Sequence, residues 1–179
     1  MPSEARCNLY HVSGFPLAEY DVRTCHPFLM LKFFTDVQER NRYAEMLSSD
    51  IYTQIGDEMQ IGDRDQIKKD FQRVCNSPHK NSGWISKQPV FQFYHKHFPN
   101  FAEQFIFKRK DLAACLQNFE ASLLVKKLGA FCREQNLFWI PMHDGFIARR
   151  DQGGVIAGQA SRIILDAVGF SPRIECKPL

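Results

Sequence analysis

The stretch Leu137–Phe138–Trp139–Ile140–Pro141–Met142–His143–Asp144–Gly145–Phe146–Ile147–Ala148 constrains the chain more than any other. Two short apolar runs, rich in aromatic and β-branched residues, flank a His-Asp-Gly centre, which is the pattern of a β-hairpin closed by a tight turn. Gly145 takes a positive φ at little cost and Asp favours turns, so the turn is expected there. An acidic side chain at such a tip stands at the sheet surface, within reach of a metal ion or a substrate. An ordinary Asp-Gly turn has the same pattern, so the rest of the chain decides what Asp144 is for.

At 179 residues the chain is expected to form a single domain over 1–179, long enough to bury a real core. Hydrophobic residues at 44% and charged residues at 24% place it among globular proteins. Sixteen Phe imply a core filled largely by aromatic rings. The net charge is only +3, so global charge does not announce nucleic acid and any basic surface must be local. Six Cys stand at 7, 25, 75, 115, 132 and 176 without a CxxC pair or a zinc-type His spacing. They are expected to be isolated, buried and reduced. No signal peptide and no apolar run of about 20 residues is visible. A cytoplasmic location with no membrane partner is the expectation.

In chain order, the polar N-terminus has a short strand candidate at Leu9–Val12, and Phe15–Val22 alternates as a strand ending on an acid. His26–Pro27 leads a helix carried by Phe28, Leu29, Leu31, Lys32, Phe33 and Phe34, apolar on most faces and so expected to be buried. A more exposed helix follows over 38–47. Ser48–Ser49–Asp50 supplies an N-cap for a helix beginning at Ile51, and Gly62–Asp63 opens a basic helix from Arg64 to about Val74. Residues 77–90 read as a loop. A short aromatic helix over 89–98 is expected to break at Pro99–Asn100, with Phe91, Tyr94 and Phe98 in the core. From Asp111 to Gln135, Leu112, Leu116, Phe119, Leu123, Leu128 and Phe131 recur at helical spacing, so one face is core. After the hairpin, a last helix starts at Asp151, buries Val155, Ile156, Ile163, Ile164 and Val168, and closes at Gly169. Arg173–Cys176 alternates as a closing strand. The sum is an α+β fold with a small antiparallel sheet covered by helices.

Two strand-borne acids, Asp21 and Asp144, each end an apolar segment, and adjacent strands would bring them together. Paired carboxylates of this kind are the standard means of holding two Mg²⁺ for phosphoryl transfer. Between them, Arg64 and Lys68 lie four apart on one helix and point the same way. Such a pair suits a triphosphate, the guanidinium gripping it bidentately and the ammonium acting as a point charge.

This order of acid-tipped strand, Arg64/Lys68 helix, long helix and His143–Asp144 hairpin resembles the palm and fingers of family A polymerases. That group includes bacterial DNA polymerase I enzymes and the single-subunit phage RNA polymerases. Ala18–Glu19–Tyr20–Asp21–Val22 resembles their motif A, Asp50–Ile51–Tyr52 the later Asp-Ile-His stretch, and Arg64 with Lys68 motif B. Ile140–Pro141–Met142–His143–Asp144 resembles motif C, and Leu116–Gln117–Asn118–Phe119–Glu120–Ala121 the helix before it.

The resemblance covers about residues 15–168 and implies a palm-type sheet with reduced helical fingers over about 50–108. It implies a template-directed nucleotidyltransferase, a DNA or RNA polymerase-like enzyme using Mg²⁺. Asp21, Asp144 and the backbone carbonyl of Val22 would hold the metal. Arg64 and Lys68 would contact the incoming nucleoside triphosphate, with Lys68 stabilising developing charge. His143 would contact the primer terminus, and Gln117 with Glu120 the nucleic-acid groove. His26 stands five residues after Asp21, where the DNA enzymes place a sugar-selecting Glu, so sugar choice stays open. Phe71 comes one residue earlier than the motif B aromatic, and Asn76–Ser77 replaces its Tyr-Gly.

A chain of this size neutralises few phosphates. Further polymerase or primase subunits or domains are therefore expected beside template-primer and nucleoside triphosphates. The alternative expectation is a catalytically degenerate palm-derived module that binds nucleic acid or a replication partner. An HD-type phosphohydrolase places its His-Asp pair on a helix, whereas here the pair lies between strands.

Overall fold

Alternation along Leu17–Val22 builds the sheet: Ala18, Tyr20 and Val22 are buried, while Glu19 and Asp21 are half-buried. The computed structural model describes residues 13–77, 82–107 and 111–179, and the strand expected at Leu9–Val12 lies outside them. The strands are β1 (Leu17–Val22), β2 (Trp139–Met142), β3 (Gly145–Arg149) and β4 (Ile174–Pro178). The main helices are α1 (Cys25–Leu29), α2 (Val37–Met46), α3 (Ile51–Glu58), α4 (Arg64–Asn76), α5 (Ser82–Ile85), α6 (Pro89–His97), α7 (Pro99–Phe101), α8 (Leu112–Glu120), α9 (Leu128–Glu134) and α10 (Arg150–Val168). A 3₁₀ turn, Met30–Phe33, extends α1, and π-helical turns follow α7 at Ala102–Phe107 and α8 at Ala121–Lys127. The α+β class and the small antiparallel sheet are as expected from sequence.

The chain forms two compact units, one from its two ends, Met1–His26 with Asn118–Leu179, and one from Pro27–Gln117. The second holds the 50–108 stretch together with the two helices before it.

In the first unit the strand order is β2-β3-β1-β4, every neighbour antiparallel. Opposed residues share a face of the pleat, so Tyr20 stands beside Phe146, and their rings stack with centroids 5.1 Å apart. The α10 backbone closes on this face at Gly153, where a Cβ would run into the Tyr20 ring. Burial above all, then a hydrogen bond with Cys176, pushes the Tyr20 phenol up to about 12. Ile156, Ala160, Ile163, Ile164 and Val168 form the buried stripe of α10, and Gly169 caps it with φ +80°. Val155, expected in that stripe, is 60% exposed. It precedes Ile156 by one residue, a 100° step that carries it off the core face.

Gly145 corrects the turn expectation. β2 and β3 pair from Met142↔Gly145, so His143 and Asp144 alone form the loop. The positive φ falls on Asp144, at 58°, and not on Gly145. Gly145 is glycine for another reason: a Cβ there would collide with the Tyr20 carbonyl oxygen and crowd the Asp21 Cα at 3.1 Å.

In the second unit three Asp side chains start three helices. Asp36, Asp50 and Asp63 each accept two backbone N–H bonds at the heads of α2, α3 and α4. The aromatic core expected from sixteen Phe is present: Phe34 stacks on Phe101 at 4.0 Å, and Phe91, Tyr94 and Phe98 are buried. The Tyr43 hydroxyl donates to the Pro27 carbonyl at 3.0 Å and pairs with the Tyr94 hydroxyl at 2.8 Å. Pro99 ends α6 but also opens α7, so the expected break is a restart. Buried Glu39 makes the restart possible, accepting the otherwise orphaned N–H groups of Asn100 and Phe101 at 3.0 Å each.

Within the expected loop over 77–90, the described part contains α5, and residues 78–81 lie outside the described set. Cys25, Cys75, Cys115, Cys132 and Cys176 are free thiols. Cys25, Cys75 and Cys132 are buried as expected, Cys115 is half-buried, Cys176 is exposed on the edge strand β4, and Cys7 lies outside the described residues. Among the described residues no helix is long and apolar enough to cross a membrane.

Candidate active site

The β1–β3 register does most of the positioning. Asp21 is the Cα partner of Gly145, and the next amide, Val22 N–H, donates to the Asp144 carbonyl at 2.7 Å. Antiparallel strand geometry then sets the Asp21 and Asp144 Cα atoms about 6 Å apart. In a regular pleat, successive positions face opposite ways. The left-handed backbone at Asp144 takes it out of the pleat, so its side chain is not forced away from the Asp21 face.

The two carboxylates have different neighbours. Asp144 and His143 are exposed at the tip. The Asp144 N–H donates to Glu120 Oε1 at 3.3 Å, and Glu120 Oε2 accepts from His26 Nε2 at 2.8 Å. Glu120 is buried at the end of α8. Burial alone raises a carboxyl pKa. Here the bonds from His26 and the Asp144 amide, with the charges of His26 and His143, outweigh it and hold Glu120 below the ordinary range. Next to this cluster, burial and then the charges of Glu120 and Asp144 push the Cys25 thiol well up.

Asp21, in contrast, is engaged from β4. Its Oδ2 accepts from Lys177 Nζ at 2.6 Å, on a sheet face shared with Glu19 and Glu175. The bond to Asp21 raises the Lys177 pKa against its own desolvation, and the charges of Asp21, Glu19 and Glu175 add to the rise.

Of the sequence candidates, Asp144, Glu120, His26 and His143 therefore form one cluster, joined to Asp21 and Val22 through the strand pairing. Val22 is buried at the end of β1. Gln117 is exposed one turn before Glu120 on α8. Glu120 was expected to face a nucleic-acid groove; it is buried and turned to His26 and the hairpin amide.

Arg64 and Lys68 belong to the other unit, on α4. Lys68 is exposed. The Arg64 guanidinium is engaged locally: Nε donates to Asp50 Oδ2 at 2.9 Å, Nη2 lies 2.8 Å from the same oxygen, and the group sits 5.4 Å from the Tyr52 ring centroid. The Asp50 bond comes first among the effects that raise the Arg64 pKa. Burial works upward on Asp50, and the Arg64 and cap hydrogen bonds bring it below the ordinary value.

No protein-family model matches the chain, and neither does any curated protein. The reading of the site thus rests on its own chemistry. Asp21 at the end of β1 and Asp144 in the adjoining hairpin loop offer hard oxygen donors, a donor set that fits a divalent cation such as Mg²⁺. Among the described residues no group of three or more His, Cys, Asp or Glu is arranged to hold a metal. A carboxylate pair is a smaller set than that.

Sequence reasoning passed over Lys177 and the burial of Glu120. Lys177 lies one residue past the strand expected at Arg173–Cys176, and continuing the alternation would have put it on the face of Glu175. Glu120 has a clearer signal: it falls on the apolar stripe, four residues after Leu116 and three or four before Leu123 and Leu124, all buried. A carboxylate at a core position requires a partner.

Proposed function

We propose that the chain is a template-directed nucleotidyltransferase, with Asp21 and Asp144 as the paired carboxylates for Mg²⁺. The observation that carries this reading is the β1–β3 register, in which Asp21 on β1 is opposite Gly145 and Asp144 is the loop residue just before it, at one end of the sheet. Bound there, Mg²⁺ supplies Lewis-acid polarisation of the phosphate and activation of a 3′-hydroxyl. The chain's own residues do the rest. Glu120 holds the Asp144 amide and the His26 ring in fixed relation. His143 stands exposed at the tip for a primer terminus, and the half-buried His26, held by Glu120, is the residue for the sugar of the nucleotide. Gln117 is available to nucleic acid, and the compact ammonium of Lys68 suits a triphosphate. Template-primer and nucleoside triphosphates are the partners under this reading.

The test is primer extension with Mg²⁺ and both nucleotide sets. Asp144→Asn and Asp21→Asn are each expected to lower incorporation at least about a hundredfold. Asp166→Asn, at an exposed position of α10, is expected to leave it unchanged. Full activity in Asp144→Asn overturns the proposal.

One observation favours a second reading, a palm-derived module that binds nucleic acid without catalysis. Arg64, the expected triphosphate ligand, is already clasped by Asp50. This reading predicts nucleic-acid binding that survives Asp21→Asn, with no incorporation under Mg²⁺ or Mn²⁺.

A further inference from the structure

The strand order β2-β3-β1-β4 puts the neighbours of Asp21 on opposite sides of it: Asp144 belongs to the β3 side, Lys177 to β4. Lys177 is the Cα partner of Glu19, and Glu175 that of Asp21, so Lys177 reaches Asp21 diagonally along one face of the pleat. Its ammonium lies 2.6 Å from Oδ2. The Asp21 side chain keeps 19% of its surface accessible and Lys177 59%, so the pair is open to exchange with solvent ions.

From this geometry we propose that Lys177 is a latch on the carboxylate pair, an internal cation that draws the Asp21 carboxylate towards β4 and that a divalent ion must displace to bind Asp21 together with Asp144. The inference rests on the paired-carboxylate reading above. Its physical content is a competition for one carboxylate. An ammonium and a metal ion cannot both take the same lone pairs of Oδ2, and the ion-pair free energy is subtracted from the metal's binding free energy. Because the pair is half-exposed, the subtraction is modest and the latch is reversible. Glu19 and Glu175, on the same face, give the displaced ammonium a second acidic place to rest, so release does not strand a bare cation.

Divalent-ion affinity reads the latch without reference to catalysis. Mn²⁺ binding to the full chain, followed by electron paramagnetic resonance, is compared for wild type, Lys177→Gln, Lys177→Arg, Arg173→Gln, Asp21→Asn and Asp144→Asn. Arg173 lies next to β4 but pairs with Glu175, at 3.5 Å, and so controls for the loss of one positive charge nearby. Lys177→Gln is expected to bind Mn²⁺ about threefold tighter. Lys177→Arg and Arg173→Gln are expected within about twofold of wild type, the scale of an exposed pair that keeps its charge or never touched Asp21. Equal tightening in Lys177→Gln and Arg173→Gln overturns the latch in favour of general charge. So does wild-type affinity in Lys177→Gln while Asp144→Asn loses binding, and that result leaves the carboxylate pair intact. Mn²⁺ binding that neither Asp21→Asn nor Asp144→Asn weakens removes the paired-carboxylate reading, and the latch with it.

Discussion

At the head of α4, a guanidinium and a carboxylate satisfy one another. Asp50 caps α3 with one oxygen and takes Arg64 with the other, and Tyr52 covers the pair. At the hairpin tip the arrangement differs: the bonds shown are backbone and buried, and the two side chains of the loop are exposed. Gly145 lies against β1, the Asp144 amide and carbonyl are both bonded, and Glu120 with His26 sits beneath, while the His143 and Asp144 side chains are exposed. Charge in a protein is spent either on holding the fold or on meeting a ligand. A residue whose oxygens or N–H groups are already matched at 2.8–2.9 Å belongs to the first use unless a ligand outcompetes its partner. By that criterion Arg64, and Asp21 while Lys177 holds it, belong to the first use.

The largest expected effect breaks the tip at its backbone. Gly145→Ala sets a methyl group into the Tyr20 carbonyl and must part β1 from β3. Overpacking of this kind costs about 3 kcal/mol, enough to lower the thermal midpoint by roughly 10 °C. Circular dichroism melting measures it. A variant that melts like wild type shows that the tip is not held by strand contact, and the contrast with the Asp50–Arg64 clasp loses its basis.

A smaller effect is expected at the clasp. Asp50→Ala removes the α3 cap and the Arg64 partner together, for about 1–2 kcal/mol. Arg64→Gln leaves the cap in place and is expected to cost less than about 1 kcal/mol. Urea denaturation of the two single variants and the double variant gives their coupling free energy. Positive coupling of a few tenths of a kcal/mol or more confirms a structural clasp. No coupling, with weakened triphosphate binding in Arg64→Gln, transfers Arg64 to the ligand side of the comparison.

These same residues mark what sequence could reveal. Alternation in Leu17–Val22, the Asp-Gly centre of the hairpin, the Asp caps at 50 and 63, and the αL glycine at 169 are local signals, and the elements they predict are present. Local signals do not say which of two adjacent residues takes the positive φ, because that depends on what lies opposite. Asp21 lies opposite Gly145 and the Tyr20 carbonyl presses on it, so the small residue is needed for contact and the left-handed backbone passes to Asp144. The partners of charged residues are likewise tertiary facts. His26 and Glu120 are 94 positions apart, and Asp21 and Lys177 are 156 apart. No spacing rule connects such pairs; only the sheet order and the docking of α8 do. Glu120 was half legible, since its place on an apolar stripe announces a buried carboxylate without naming what it binds.

The smallest effect probes how the tip is braced, and it has a sign. Glu120 faces His26 Nε2 and the Asp144 amide, with the charge of His143 close enough to act and the buried Cys25 thiol beside it. Its folded pKa lies below the ordinary 4.5, so the unfolded chain takes up its proton first as pH falls. The stability that Glu120 contributes is therefore complete above about pH 4.5 and is lost as pH drops through the lower folded value. Glu120→Gln keeps the shape and an acceptor oxygen but removes the charge, for about 1 kcal/mol at pH 7. Urea denaturation of wild type and Glu120→Gln between pH 7 and pH 3 measures the difference at each pH. It is expected to be constant from neutrality down to about pH 5 and then to close as the wild-type carboxylate protonates. A gap that stays open at the lowest pH shows that Glu120 braces the hairpin by shape alone. A gap that is absent at pH 7 shows that the Asp144 amide and His26 do not depend on its charge, and the tip is then held by the Gly145 contact with β1.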